Sequence, residues 1–317
     1  MTPAAPVLAV DVGGTKLAAA LVDDAGGVRR RHEVRSQPTS TGAGDELWST
    51  LLGLIDEVVD GQRVAGVGVG CGGPARWPEG SVSPLNIPAW RDFPLRARLQ
   101  ERFRGVPVRL VNDAIAMAIG EHWEGAAAGD RNVLGVVVST GVGGGLILDG
   151  RVRFGPTGNA GHVGHIVVEA DGPVCGCGGR GCLEAVARGP AIVRWALDHG
   201  WEASSDDEPD GRALVTAARD GDEVARAAVC RCGEALGVAL ASTAHLLDLD
   251  VVAVGGGIAN AGDLLFEPAR AAFARHARMD FASRCRIVPA TLGPDAGIVG
   301  AAALVACGDR YWPIGAD

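Results

Sequence analysis

Two stretches decide the fold: VDVGGTKLAAALVDDAGGVR at Val10–Arg29 and VSTGVGGGLILDGRVR at Val138–Arg153. Each runs from an apolar, β-branched segment through a glycine turn into a second apolar segment, then through a polar turn into a third. Val7–Val12, Leu17–Val22 and Val28–Val34 read as three strands on this pattern, and Val133–Val138, Leu146–Leu148 and Arg151–Phe154 as three more. The repeat occurs once and its period is too long for a solenoid. It predicts an α/β chain of two similar lobes, each opening with a hairpin whose glycine turn is suited to phosphate.

Between and beyond the repeats, apolar spacing predicts helices over Asp45–Val59, Arg91–Phe103 and Ala114–Trp123, with strands at Val64–Val69 and Val106–Val111. The Gly- and Pro-rich stretch from Gly70 to Trp90 reads as an irregular loop. Helices are expected over Pro190–His199, Arg212–Arg219, Asp222–Leu247, Asp263–His276 and Ala296–Cys307, and strands at Val251–Val254 and Arg286–Val288. Glu202–Gly211 reads as an acidic surface loop.

The 317 residues suffice for two lobes with a substantial core. A net charge of −9 and a pI near 5.3 argue against a dedicated nucleic-acid binder. Neither a signal peptide nor a transmembrane run is evident, and Cys71, Cys230, Cys232, Cys285 and Cys307 lack disulfide spacing. A cytoplasmic protein without membrane or nucleic-acid partners is expected.

A third stretch, GHVGHIVVEADGPVCGCGGRGCLE at Gly161–Glu184, carries a His-x9-Cys-x-Cys-x4-Cys array. His165, Cys175, Cys177 and Cys182 supply one imidazole and three thiolates, the donor set of a closed, structural zinc site. Such a zinc does not act on substrate; it holds a loop in place.

Three glycine turns follow strands, at Asp11–Lys16, Ser139–Gly145 and Gly255–Gly257. Neither a Walker A loop nor a strand–GxGxxG–helix fingerprint is present. Backbone N–H groups of Gly13, Gly14, Thr140, Gly141, Gly143, Gly144, Gly256 and Gly257 are the candidate phosphate donors. Asp11 and Thr15 suit phosphate and water-bridged Mg²⁺, with Lys16 beside them; the alternative for Asp11 is a turn-capping carboxylate. Asn112-Asp113 ends a strand and starts a helix. An Asp there is a common N-cap, but strand C-termini are also where α/β folds place substrates, and a carboxylate there can act as a base. Asn86 can offer an amide to hydroxyls. Glu184 reads as a helix N-terminal acid or a ligand contact.

The chain resembles the ROK family (repressor, ORF, kinase) over essentially its whole length. The resemblance rests on DVGGTK at Asp11, NDA at Asn112, STGVGGG at Ser139, GH at Gly164-His165, CGCGGRGCLE at Cys175 and GGGI at Gly255. It implies an actin/hexokinase-like (ribonuclease H-like) duplicated two-lobe fold with ATP in the cleft. The lobes are expected as 1–113 with about 297–317, and 114–296 with the zinc loop. It implies Asp113 as the base activating a sugar 6-hydroxyl, sugar contacts from Asn86, Asn112, Asp113, His165 and Glu184, and a homodimer or homotetramer. The family's usual Glu-x-Gly-His is here His162-Val163-Gly164-His165. A histidine replaces one acceptor but not a bidentate carboxylate, so the expected sugar is N-acetylmannosamine, with glucose the alternative. A regulator of the same family would need a DNA-binding module ahead of Asp11, where ten residues stand. A non-catalytic sugar sensor is disfavoured by the presence of Asp11, Thr15 and Asp113.

Overall fold

The computed structural model describes residues 4–36, 44–203 and 208–313. Val7–Val12 (β1), Lys16–Val22 (β2) and Val28–Arg35 (β3) form the first hairpin set. Gly44–Val59 (α1), Val67–Cys71 (β4), Ala75–Arg76 (β5), Ser81–Val82 (β6), Leu95–Arg102 (α2), Val108–Asn112 (β7) and Asp113–Trp123 (α3) follow. The second set is Val133–Val138 (β8), Val142–Leu148 (β9) and Arg151–Val152 (β10). Then come Leu183–Ala187 (α4), Gly189–Asp198 (α5), Gly211–Asp220 (α6), Glu223–Leu247 (α7), Val251–Gly255 (β11), Asp263–His276 (α8), Asp280–Ser283 (α9), Arg286–Pro289 (β12) and Ala296–Ala306 (α10).

The duplication is realised in the sheets. One has the order β3-β2-β1-β4-β7, the other β10-β9-β8-β11-β12. In each, the first strand of the hairpin set has parallel crossover strands beyond it: β4 then β7, or β11 then β12. Parallel neighbours need long connections, which the helices supply. Among the described residues no helix is long and apolar enough to cross a membrane.

The chain packs as two compact units. Unit 1 holds residues up to 129, 145–160 and those from 294 on; unit 2 holds 130–144 and 161–293. The expected division placed residues from 114 onward with the second lobe; the packing groups α3 with unit 1. The reason is its crossing with α10. A Cβ on Gly300 would overlap the Ala116 carbonyl, and one on Gly120 the Ala296 carbonyl. The two backbones thus touch without intervening side chains, a close approach that glycine permits.

Within unit 1 the first sheet is covered on both faces. Leu8, Val10, Val12, Leu17 and Leu21 join Leu51 and Ile55 of α1 in one core. Ala9, Ala18 and Ala20 face Ile298, Ala301 and Ala302 of α10 in another. Within unit 2, α7 is the central helix, packed by α4, α5, α6 and α8.

Several boundaries differ from the sequence reading. The helix expected from Arg91 begins only at Leu95: Asp92 takes a left-handed φ of 47°, and Phe93 bridges to Val82 instead. The loop expected over 70–90 contains the small β5–β6 hairpin. The strand expected at Arg151–Phe154 stops at Val152, before the left-handed turn at Gly155. The short helix α4 starts at the end of the quoted cysteine stretch, with Glu184 in its first turn, as the helix N-terminal reading of that residue has it.

Candidate functional site

In unit 1 the residues singled out by sequence converge at the C-terminal ends of β1, β4 and β7. Val12, Cys71 and Asn112 end their strands in register, and Asp11, Gly70 and Val111 form the row just before them. Beyond Asp11 the chain turns tightly, with Gly13 N–H donating to the Lys16 carbonyl at 3.0 Å. A Cβ on Gly14 would overlap Asn86 Cβ, so the missing side chain lets Asn86 lie directly on the turn. Thr15 is exposed at its tip.

Asn112, rather than Asp113, is the N-cap of α3: its Oδ1 accepts from Ala114 N–H at 3.0 Å. Asp113 is the first helical residue, and its Oδ1 accepts from the same N–H at 2.8 Å. Capping is therefore shared, and the second carboxylate oxygen faces Gly72, where a Cβ would stand 3.9 Å away. Positions for Cβ atoms on Gly70 and Gly297 lie 3.9 and 3.8 Å from the Asp11 carboxylate. Burial, then the Asp113 charge, push the Asp11 carboxyl up to about 6. Burial and both carboxylates also raise the neighbouring Cys71 thiol, which is fully enclosed and unsuited to act as a nucleophile.

This raised pKa makes a stability prediction. The fold disfavours ionised Asp11, so its contribution worsens as pH rises from about 3.8 to about 6 and is absent when both states are protonated. Asp11→Asn should therefore stabilise the ligand-free protein at pH 7 by up to about 3 kcal/mol, with no difference below pH 4. Denaturant unfolding at the two pH values checks it.

Sequence reasoning missed a ring of charge around Asp11. In β1, β2 and β3, Asp11, Ala18 and Glu33 are in register, as are Ala9, Ala20 and Arg31. Paired residues share a face, and this is the face covered by α10. Arg31 contacts Glu33 at 2.7 Å and Asp295, just ahead of α10, at 3.4 Å. Lys16 contacts Glu33 at 3.7 Å, so its ammonium is engaged on the sheet.

In unit 2 the second glycine turn is shorter than expected. It spans Ser139–Gly141, closed by Ser139 N–H to the Gly141 carbonyl at 2.9 Å. Thr140 is exposed and Gly141 half-buried. Gly143 and Gly144 lie in β9 instead, and Gly144 is packed against the Gly161 carbonyl and Val163. Glu184, in the first turn of α4, accepts from Val142 N–H at 3.0 Å, tying the cysteine loop to this turn. The third turn is seated on the second. Gly256 has a φ of +93°, and a Cβ on it would overlap the Val138 carbonyl. Gly257 faces Ser139 Oγ.

The cysteine loop presents a metal-binding cluster. The ligand atoms of His165, Cys175, Cys177 and Cys182 all lie within 4.8 Å of one another. Cys177 and Cys182 sulfurs are 3.7 Å apart, and Cys175 Sγ is 3.8 Å from His165 Nδ1. A tetrahedron with Zn–S bonds of about 2.3 Å has S···S edges of about 3.8 Å, so the spacing fits the ion. The loop is shaped by Cys175 N–H to Gly179 O, Gly178 N–H to Cys175 O and Leu183 N–H to Ile166 O. With Nδ1 turned to the sulfurs, His165 keeps Nε2 for a second partner. His162 is exposed, its ring nearly parallel to that of His165 at 6.3 Å.

Comparison with known proteins places these features in context. The profile of the ROK family matches residues 7–307. A glucokinase of Thermotoga maritima is 36% identical over 315 residues, covering 96% of this chain and 98% of the relative. An N-acetylmannosamine kinase of Haemophilus influenzae is 33% identical over 298 residues, covering 93% of each. Among solved structures, a ROK family glucokinase from Streptomyces griseus in complex with glucose and AMPPNP superposes with a TM-score of 0.82. It is 35% identical, and the match covers 96% of this chain and all of that one.

Proposed function

The chain belongs to the ROK family, and we propose on that premise that it is an ATP-dependent kinase of a hexose 6-hydroxyl. The observation that carries this reading is Asp113, set at the start of α3 within the same corner as Asp11 and the first glycine turn. Its carboxylate accepts the hydroxyl proton while the sugar oxygen attacks the γ-phosphoryl group; ADP leaves with the bonding pair of the broken P–O bond. Asn112 has its Oδ1 committed to the helix cap, and its amide NH₂, beside Gly73, is the donor we assign to sugar hydroxyls. Asn86, His165 Nε2 and Glu184 are the further sugar contacts we assign.

ATP is supported by the nucleotide analogue in the Streptomyces griseus relative. The turns at Gly13–Lys16, Thr140–Gly141 and Gly256–Gly257 are the phosphate donors of this reading. Asp11 and Thr15 are the residues that would hold the magnesium bound with ATP, which would supply charge neutralisation on the phosphates. Zinc is the metal we assign to His165, Cys175, Cys177 and Cys182, on the donor set and the sulfur spacing.

For the sugar we assign N-acetylmannosamine first. His162 stands where the family usually has a glutamate, and an imidazole cannot accept from two hydroxyls as a carboxylate does. Glucose is the second reading, favoured by the higher identity to glucokinases. An ADP-release assay offering both sugars with Mg-ATP tests the choice. N-acetylmannosamine is expected to have the higher kcat/KM, and His162→Glu to move the ratio toward glucose by about tenfold, as one hydrogen-bonding site changes. A wild-type preference for glucose with an unmoved ratio in the variant would reject the role of His162.

A further inference from the structure

We propose that Arg31 is a positioning residue: paired with Asp295, it clamps the N-terminus of α10 against Asp11 and the first glycine turn. The inference rests on the phosphoryl-transfer reading, since the groups it positions are those assigned to the phosphate side.

The clamp follows from the strand register. Arg31 projects from β3 on the face that α10 covers, in register with Ala20 and Ala9. These are the smallest side chains available on that face, so the long arginine can lie along the sheet toward the start of α10. Its Nε meets Asp295 Oδ1 at 3.4 Å, and its Nη2 meets Glu33 at 2.7 Å. Arg31 Nε and Asp295 Oδ1 are both shielded from solvent, and neither has an aligned hydrogen bond. Arg31 thus spans two carboxylates, Glu33 and Asp295, and removing the arginine takes the cation from both.

Asp295 stands at the N-cap of α10, yet its side chain makes no capping bond to the helix. Its backbone is already helical there, with φ −92° and ψ −8°, and its Oδ1 lies 3.4 Å from Arg31 Nε. Two residues on, Gly297 brings the helix backbone beside the Asp11 carboxylate. The other arm of the guanidinium holds Glu33, and Glu33 in turn holds Lys16 at the end of the glycine turn. One side chain thus fixes both the helix start behind Asp11 and the base of the turn. Without it, Asp295 loses the cation that ties it to β3, and the first turn of α10 is less firmly held beside Asp11.

The test compares Arg31→Met, Arg31→Lys and Asp295→Asn in the full-length protein. Two quantities are read: steady-state kinetics toward Mg-ATP and sugar, and hydrogen exchange of the amides of residues 296–299. Arg31→Met and Asp295→Asn are expected to raise KM for Mg-ATP about tenfold with sugar KM changed less than about twofold. Both should also speed exchange at 296–299. Arg31→Lys keeps the charge but loses the fork, so it should recover part of each effect. Unchanged exchange and unchanged KM for Mg-ATP in a folded Arg31→Met protein would overturn the proposal, as would equal losses toward both substrates. If the wild type transfers phosphate to no sugar, the kinase reading fails; exchange at 296–299 then decides alone whether Arg31 holds the helix.

Discussion

Asp113→Asn is expected to lower kcat by about 10²–10⁴-fold, the range over which a positioned general base contributes, while the protein stays folded. The argument begins with what the substitution spares. Asparagine keeps an oxygen where Asp113 Oδ1 now accepts from Ala114 N–H, and Asn112 caps the same N–H independently. The start of α3 therefore survives, and stability should change by no more than about 1 kcal/mol. What is lost is the ability to take a proton. The substitution also removes a negative charge that raises the Asp11 carboxyl. With that repulsion gone, ionised Asp11 becomes easier to form, so its pKa should fall from about 6 toward the ordinary carboxylate range. Carboxyl carbon NMR of the variant reads this shift, and steady-state kinetics read kcat. A folded variant that retains wild-type kcat would remove Asp113 from the chemistry. A lowered kcat with unmoved Asp11 would keep the base but deny its coupling to the glycine turn.

Much of this corner was legible in the sequence because its logic is local. DVGGTK announces a strand ending in a tight turn, and Asn112-Asp113 announces a strand passing into a helix. The cysteine spacing likewise announces the cluster of His165, Cys175, Cys177 and Cys182, since these residues lie within one loop. The contacts that were not legible join distant segments. That Gly14 is bare to admit Asn86 depends on where the loop from Gly70 to Trp90 folds back. Arg31 sits in the strand expected over Val28–Val34, where the sequence singles out no side chain. Only the register of β1, β2 and β3 shows that this arginine shares a face with Asp11, and only the return of α10 brings Asp295 to it. The run Gly143–Gly145 misled for the opposite reason. Glycines read as phosphate donors are partly there for packing, since Gly144 lies against the Gly161 carbonyl. Glu184 carried two sequence readings, and the structure adds a third task, holding the Val142 N–H of the neighbouring turn.

That task links the metal to the chemistry and sets the size of the remaining prediction. Cys182 directly precedes α4, and Glu184 lies in its first turn, so a thiolate fixed to metal also fixes the carboxylate that anchors Ser139–Val142. His165 stands at the other end of the same loop with Nδ1 on the sulfurs. The loop has little apolar core of its own: Val167 and Val174 are exposed, and its turns run through Gly176, Gly178 and Gly179. A segment of that composition cannot offset its ordering entropy by burial, and metal binding must supply the difference. The purified protein should carry one zinc per chain by elemental analysis. Cys182→Ser, or stripping with a strong chelator, should release it and cut sugar kcat/KM at least about 100-fold, beyond the loss typical of residues that merely support a ligand. Hydrogen exchange should rise across 163–184 while the sheet of unit 1, whose cores contain none of these residues, keeps its protection. Cys232→Ser is the control: its thiol is buried in α7, is not one of the four clustered ligands, and donates to the Ala187 carbonyl at the end of α4. It should retain zinc and most activity. Full activity in a zinc-free protein would reduce the cluster to a dispensable brace and leave Glu184 and His165 to be held by packing alone.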